Sequence, residues 1–426
     1  MRPSHSTFCT DGAVRVARTG ALGLSLLWAL GTLPAVAHET HDHSIQEDNG
    51  LQLQAAAAVS YLHASQAVPA ARLPGHLGLG DTPDDQRGWA LEHATVGASM
   101  RLGPLVGAQV AWGKHGRDTV HTEAAWLALR PSADSSLTLG AGRNRVPMGG
   151  VLTDAGHLDR FAQTPLVKRS VFNGDWVEDG VQLAWRPRAL GHWEWFKGLD
   201  VGLWRARRFP GSENAAWAPM VHVSGAGPLA WAAGRWEADA FVSRLQPQGR
   251  GAYVQSGNSG HLHTAPDCST TLRGITCFDG TVNLAGASLR WLSALPGVTL
   301  TAAGLMRDER GSLYSQNGDT RYQGRTRGGW LEAGWQPAAQ WEIGLRQEWL
   351  RSAHRLQGPG AALVAADANL TPYHPARRVT AMLGWRPHAD WLLALEAGRE
   401  RTAGQAYTVG ALRVVYIPRP LAAARW

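Results

Sequence analysis

Three groups of residues in this chain have types and spacings that could do chemistry. The densest lies between Gly142 and Gly180. It opens on Gly142-Arg143-Asn144-Arg145-Val146-Pro147-Met148-Gly149 and returns as Trp176-Val177-Glu178-Asp179-Gly180-Val181. Between them stand Asp154, His157, Asp159, Arg160, Lys168, Arg169 and Asp175. Arg143 and Arg145 alternate, so on an extended strand both side chains share one face. With Arg160, Lys168 and Arg169 they make five cations against the carboxylates of Asp154, Asp159 and Asp175. Positive charge around a narrow opening concentrates anions there. The same residues could instead pair with one another and only hold the segment in place.

The second group is His38-Glu39-Thr40-His41-Asp42-His43. Three imidazoles and two carboxylates in one short run suit Zn²⁺ or Cu²⁺. A solvated tail would have the same composition. His38, His41 and His43 are the expected metal ligands, and no cofactor is otherwise required. The third group is Cys268 and Cys277, since Cys9 belongs to the leader described below. An even pair in an exported chain suggests a disulfide. The spacing is not that of a Cys-x-x-Cys zinc knuckle, although His261, His263 and Asp267 nearby keep a metal reading open. An acyl-transferring enzyme would need a serine held by an oriented histidine. No Gly-x-Ser-x-Gly elbow with a placed partner occurs, so no enzymatic activity is expected.

The elements that must position these groups begin after a leader. Arg15 and Arg18 precede a short apolar run from Ala21 to Leu30, and Ala35-Val36-Ala37 supplies small residues for cleavage. The run is too short to remain as a membrane anchor. Residues 1–37 therefore read as a signal peptide, residues 38–50 as a His-rich periplasmic tail and residues 51–426 as the folded part. Losing Arg2, Arg15, Arg18 and Asp11 lowers the formal net charge from +7 to +5. With no Lys/Arg run and no basic helix, nucleic acid is not an expected partner. Charged residues are 18% of the chain, Trp occurs 20 times and Gly 50 times. Tryptophan favours membrane interfaces, where its ring is apolar and its N–H finds a wet partner. Many tryptophans without a membrane helix point to a membrane β-barrel.

From Leu51 the hydrophobic period is two. Sixteen strand candidates can be counted, the fifth at Leu137–Val146, the sixth at Trp176–Arg186 and the last at Tyr407–Ile417. In the thirteenth, Trp341, Ile343, Leu345 and Trp349 share one face with Gln347, and Glu342, Gly344, Arg346 and Glu348 share the other. Lipid demands the first face and a wet lumen accepts the second. Short turns repeat one chemistry, as in Trp185-Arg186-Pro187 and Trp385-Arg386-Pro387, where proline stops the ladder. The intervening connections are mostly long, including residues 66–88, 148–175, 245–279, 309–327 and 352–376. Short turns on one side and long loops on the other is the layout of outer-membrane barrels. The fold class expected is all-β, a transmembrane antiparallel barrel of sixteen strands with a long constriction loop between strands 5 and 6. Arg143 and Arg145 should face its lumen, because a guanidinium facing lipid near the midplane costs roughly 2–4 kcal/mol. Pro418 and Pro420 interrupt the closing strand before Trp426.

The chain resembles the Gram-negative porins over nearly all of its mature length. Residues 142–149 and 176–181 are similar to a segment of the phosphate-selective porin O and P family. The resemblance implies an outer-membrane channel for passive diffusion of small hydrophilic solutes or anions. It also implies a third long loop folded into the lumen, contact with outer-membrane lipid and a homotrimer. Phosphate specificity is not implied, because the basic pore residues of that family have no individual match here. The alternative drawn from the histidine tail is a role in zinc or copper uptake or resistance.

Overall fold

The computed structural model describes residues 50–425, with 66–72, 74, 79–86, 117–118, 157, 188–193, 230–233, 254–267 and 271 outside the description. The strands are β1 (Gly50–Ala64), β2 (Gly88–Leu102), β3 (Val106–Lys114), β4 (His121–Leu129), β5 (Leu137–Arg145), β6 (Val177–Trp185), β7 (Phe196–Trp204), β8 (Ala218–Pro228) and β9 (Gly234–Leu245). They continue as β10 (Arg250–Tyr253), β11 (Ile275–Ser293), β12 (Val298–Ser315), β13 (Gly318–Ala338), β14 (Trp341–Gln357), β15 (Ala376–Trp385), β16 (Trp391–Thr402), β17 (Gln405–Tyr416) and β18 (Leu421–Arg425). Three short helices interrupt the loops: α1 (Gly150–Asp154), α2 (Leu166–Phe172) and α3 (Ala361–Asp367).

Sixteen of these strands form one closed antiparallel barrel. Each pairs with the next in sequence, β9 pairs with β11, and β17 returns to β1 through Ala57↔Tyr416 to Ala64↔Val409. The two remaining strands are extensions. The short β10 lengthens the wall beside the upper end of β11. Below Pro418 and Pro420, β18 resumes the closing strand and pairs with the start of β1. The two prolines thus divide the closing strand rather than end it.

The outward face explains why these segments are strands in a membrane. On β14, Trp341, Ile343, Leu345 and Trp349 are exposed, and Glu342, Gly344, Arg346 and Glu348 between them are buried. Trp335, Trp341, Trp385 and Trp391 form a girdle at the short-turn end, with Trp341 opposite Trp385. Eight residues higher, Trp349 marks the other edge, and Arg327, Arg351, Arg377 and Arg401 follow on the same exposed face. Trp341 to Trp349 is about 27 Å along a strand rising ~3.4 Å per residue. Tilted by ~40° it covers roughly 20 Å, close to the ~25 Å apolar band of such barrels.

One sequence expectation is corrected. Residues 309–327 are not a loop. β12 and β13 run on as a paired hairpin to Ser315↔Gly318. Beyond the hydrocarbon the outer face turns polar, as the exposed Arg325–Asp308 pair shows, so the alternation disappears while the ladder persists. Gly225-Ala226-Gly227-Pro228 forms the end of β8, paired with β9 through Pro228↔Arg235.

Candidate functional site

The segment between β5 and β6 folds into the barrel. It leaves the wall where Pro147 ends β5, passes through α1, and α1 packs against β11 and β12. It then returns through α2, which packs against β12, β13, β14 and β15. All seven residues of α2 are buried. Asn173 in the left-handed conformation closes α2 by donating its N–H to the Arg169 carbonyl. The wall makes room with glycines. A β-carbon at Gly286 would meet Leu152, at Gly328 Val167, at Gly334 the Arg160 guanidinium and at Gly344 both Arg160 and Phe161. The inner-face glycines are where the loop docks.

Charge pairs fix the loop to this wall. Arg160 donates to Glu342 on β14 at 2.5 Å and to Glu332 on β13 at 2.5 Å. Asp159 accepts from Arg346 at 2.8 Å, and Arg346 also lies over the Phe161 ring at 4.2 Å. Arg378 on β15 donates to Glu348, to the Gln163 side chain and to the Thr164 carbonyl. Glu348 in turn accepts the N–H of Leu166 at 2.7 Å. Glu396 accepts the N–H of Ala162, and Arg413 donates to the Asp159 carbonyl. Burial disfavours the Asp159 charge, but Arg346 and Arg413 beside it hold its carboxyl below the usual range.

The remaining loop charges lie at its base. Lys168, fully buried, reaches Asp175 at 2.6 Å and the carbonyls of Thr153 and Ala155 at 2.8 and 2.7 Å. Arg145 lies 3.5 Å from the same Asp175. Arg169 is buried on α2. Asp154 is half-buried on α1, and its Oδ2 has no hydrogen-bond partner among the described residues. Burial pushes its carboxyl up to about 7, against the pull of Arg145 and Lys168.

Arg143 corrects an expectation. Its neighbours along β5 and β6 fix its side: Gly180, opposite Gly142, faces inward against Trp204, and Leu139, Val181 and Leu183 face outward. Arg143 and Asp179, opposite each other, therefore share the outer face, joined at 2.7 and 2.9 Å. The lipid penalty assumed a lone guanidinium near the midplane. This one lies at the long-loop end of its strand and carries its counter-charge. The excess of two positive charges counted along the loop is also altered, because Glu332 and Glu342 on the wall take up Arg160. These wall residues were invisible to a count along one segment.

Cys268 and Cys277 are joined as a disulfide, with α-carbons 6.1 Å apart. Cys277 already belongs to β11, which rises above the apolar band. His38, His41 and His43 lie outside the described residues, as do His157, His261, His263 and Asp267.

No protein-family model and no curated relative matches the sequence. Solved structures do match the fold. The outer membrane channel DcaP of Acinetobacter baumannii is similar with a TM-score of 0.52 and 11% identity, over 86% of this chain and 97% of that one. OmpF of Salmonella typhi, solved in complex with daunomycin, gives 0.51 and 9% over 87% and 98%. OmpT of Vibrio cholerae, in a trimer form, gives 0.51 and 10% over 87% and 100%. The fold is that of the outer-membrane porins. At these identities the likeness is one of architecture.

Proposed function

We propose that this chain is an outer-membrane channel through which small hydrophilic solutes and ions diffuse passively, with a weak preference for anions. One observation carries the reading. A closed barrel with a lipid-facing band contains a loop that is folded inward and fastened to one side of the wall. Along β6 to β9 the inner face carries a polar cluster, in which Asp200 and His222 are shielded from solvent. Gln182 and Arg186 donate to Asp200, and His222 bridges Asp200 and Asp239 at 2.8 and 3.0 Å. Such a wall can pass hydrated solutes, and no covalent step is proposed. The similarity of residues 142–149 and 176–181 to the phosphate-selective porin O and P family supports a place among anion-favouring channels, without naming a solute. Membrane lipid is the partner for the apolar band. A homotrimer is proposed by analogy with the trimer form of OmpT. The tail histidines His38, His41 and His43 are proposed as a separate, weak site for zinc or copper.

Single-channel recording of the refolded mature protein in a planar bilayer tests the reading. Discrete conductance steps are expected. Absence of ion current from correctly folded protein would overturn it.

A further inference from the structure

Three imidazoles and one carboxylate converge on the inner side of β2, β3 and β4, away from the loop anchors. His93 on β2 contacts Glu123 Oε1 through Nε2 at 2.8 Å. His115, just past the end of β3, brings its Nε2 to the same oxygen at 3.5 Å. His121, which opens β4, brings its Nε2 to it at 3.9 Å. The rings of His93 and His115 stack with centroids 4.5 Å apart, and those of His115 and His121 at 5.3 Å. All four side chains are mostly shielded from solvent, with His121 the most exposed at 16%.

The backbone is shaped to produce this convergence. Glu123 is the extra residue of a bulge, since Ala111 pairs with Ala124 and Trp112 with Thr122. The bulge re-aims its side chain inward, as bulges beside functional sites do. Its carboxylate occupies the space where a β-carbon on Gly113 would sit. Thr95 donates to its second oxygen at 3.2 Å. A second bulge makes Glu92 the extra residue of β2, since Ala58 pairs with His93 and Val59 with Leu91. The carbonyl of Glu92 is 3.0 Å from His115 Nδ1.

The proton positions decide what this arrangement needs. A carbonyl only accepts, so His115 Nδ1 carries the hydrogen it donates to Glu92. His121 Nδ1 likewise donates to the Thr119 carbonyl at 3.3 Å. In the neutral ring each Nε2 then presents a lone pair, and both lone pairs face an ionised carboxylate oxygen. That is repulsive unless a metal cation or a second proton on the ring lies between them. Imidazoles whose other nitrogen is tied to a backbone carbonyl, converging on a carboxylate, are how proteins hold transition metals. Ligands at ~2.0–2.1 Å from tetrahedral Zn²⁺ stand ~3.3 Å from one another. The three nitrogen-to-Oε1 distances bracket that spacing, and the ligand atoms of His93, His115 and Glu123 all lie within 4.8 Å of one another.

We propose that His93, His115 and Glu123, with His121 beside them, form a binding site for a borderline divalent transition ion, Zn²⁺ foremost, on the inner wall at the long-loop end of the barrel. The ligand set excludes Ca²⁺ and Mg²⁺, which require mainly oxygen. The site is distinct from the histidine tail and does not depend on the channel reading. Arg145 and Arg208 act on the same histidines and oppose a cation there. Arg145 is drawn aside by Asp175, and the backbone of Arg208 is held by Glu178. A bound dication would leave this stretch of wall with a net positive charge.

The experiment uses the folded mature chain with His38, His41 and His43 changed to alanine, so that the tail is silent. Zn²⁺ alone is titrated in competition with a chromophoric chelator, and Co²⁺ is used to read coordination from its visible absorption. One ion per chain and an intense tetrahedral Co²⁺ band are expected. His115→Ala and Glu123→Gln should each weaken binding by at least ~10-fold, the usual scale for losing part of a metal site. His115 lies outside the strands, so its replacement leaves the ladder intact, and heat-modifiable gel mobility checks folding. If the tail-silenced chain binds no ion, the rings are held by protons instead and the proposal fails. It also fails if both variants bind Zn²⁺ as tightly as their parent.

Discussion

Asp154 shows how a partly shielded carboxyl can be tuned by what it lacks. Its pKa is raised to about 7 by burial, and its Oδ2 has no hydrogen-bond partner among the described residues. The folded state therefore favours the protonated acid more than the unfolded chain does. That contribution is fully present below the ordinary carboxylate range near pH 4, and it is lost as pH rises through about 7. Asp154→Asn keeps the shape and cannot ionise. It should raise the unfolding temperature of the refolded protein at pH 8 and leave it unchanged at pH 4. Equal effects at both pH values would mean that folding does not shift this carboxyl, and a lowered unfolding temperature at pH 8 would mean that Asp154 is ionised in the folded loop, paired with Arg145 or Lys168. The neighbouring Arg143 makes the contrasting case. Half-exposed and already matched to Asp179, it is close to a surface pair of the kind worth ~0–1 kcal/mol. Arg143→Gln should change stability by no more than that in a chemical-denaturation series.

At the scale of elements, the inward loop is held by what the wall leaves empty as much as by what it offers. Gly344 gives Phe161 and the Arg160 side chain their place against β14. Gly344→Leu would fill that place, and overpacking of this kind typically costs ~1–3 kcal/mol. The loop, not the barrel, should yield. A larger and noisier single-channel conductance is expected, with the heat-modifiable mobility of the folded barrel retained. Unchanged conductance would show that the loop does not set the width of the path. This element also marks the limit of what the residues alone disclose. The strand faces were legible because lipid imposes a strict apolar alternation, clearest from Trp341 to Trp349. The extended β12–β13 hairpin was not, because above the membrane Arg321, Arg325 and Arg327 replace that pattern while the pairing continues. The position of the loop between β5 and β6 could be counted. Its anchors could not, because Arg160 and Glu332 are 172 residues apart, and only barrel closure brings them together. The converging histidines escaped for another reason: His93 lies on β2, His115 just past β3 and His121 on β4, and two bulges there break the strand period.

For the whole molecule, charge must be weighed where the fold places it. The mature chain expected from the sequence has a net charge of +5, yet the loop cations are matched by carboxylates from the wall. An anion preference, if carried by the broad field of the molecule and not by a ring of bare arginines, should be weak. It should fade as the screening length falls from ~10 Å at 0.1 M salt to ~3 Å at 1 M. Reversal potentials in salt gradients of low and high mean concentration test this directly. The same measurement locates the groups responsible. Arg143 points away from the lumen and is neutralised by Asp179, so Arg143→Gln should leave the reversal potential where it was. Arg160 stands between Glu332 and Glu342, and Arg160→Gln would leave both carboxylates without that partner beside the loop. The reversal potential should then move toward cations, most strongly at low salt. The opposite pattern, a shift in Arg143→Gln with none in Arg160→Gln, would place the selective group at the end of β5 and reject the assignment of that arginine to the outer face.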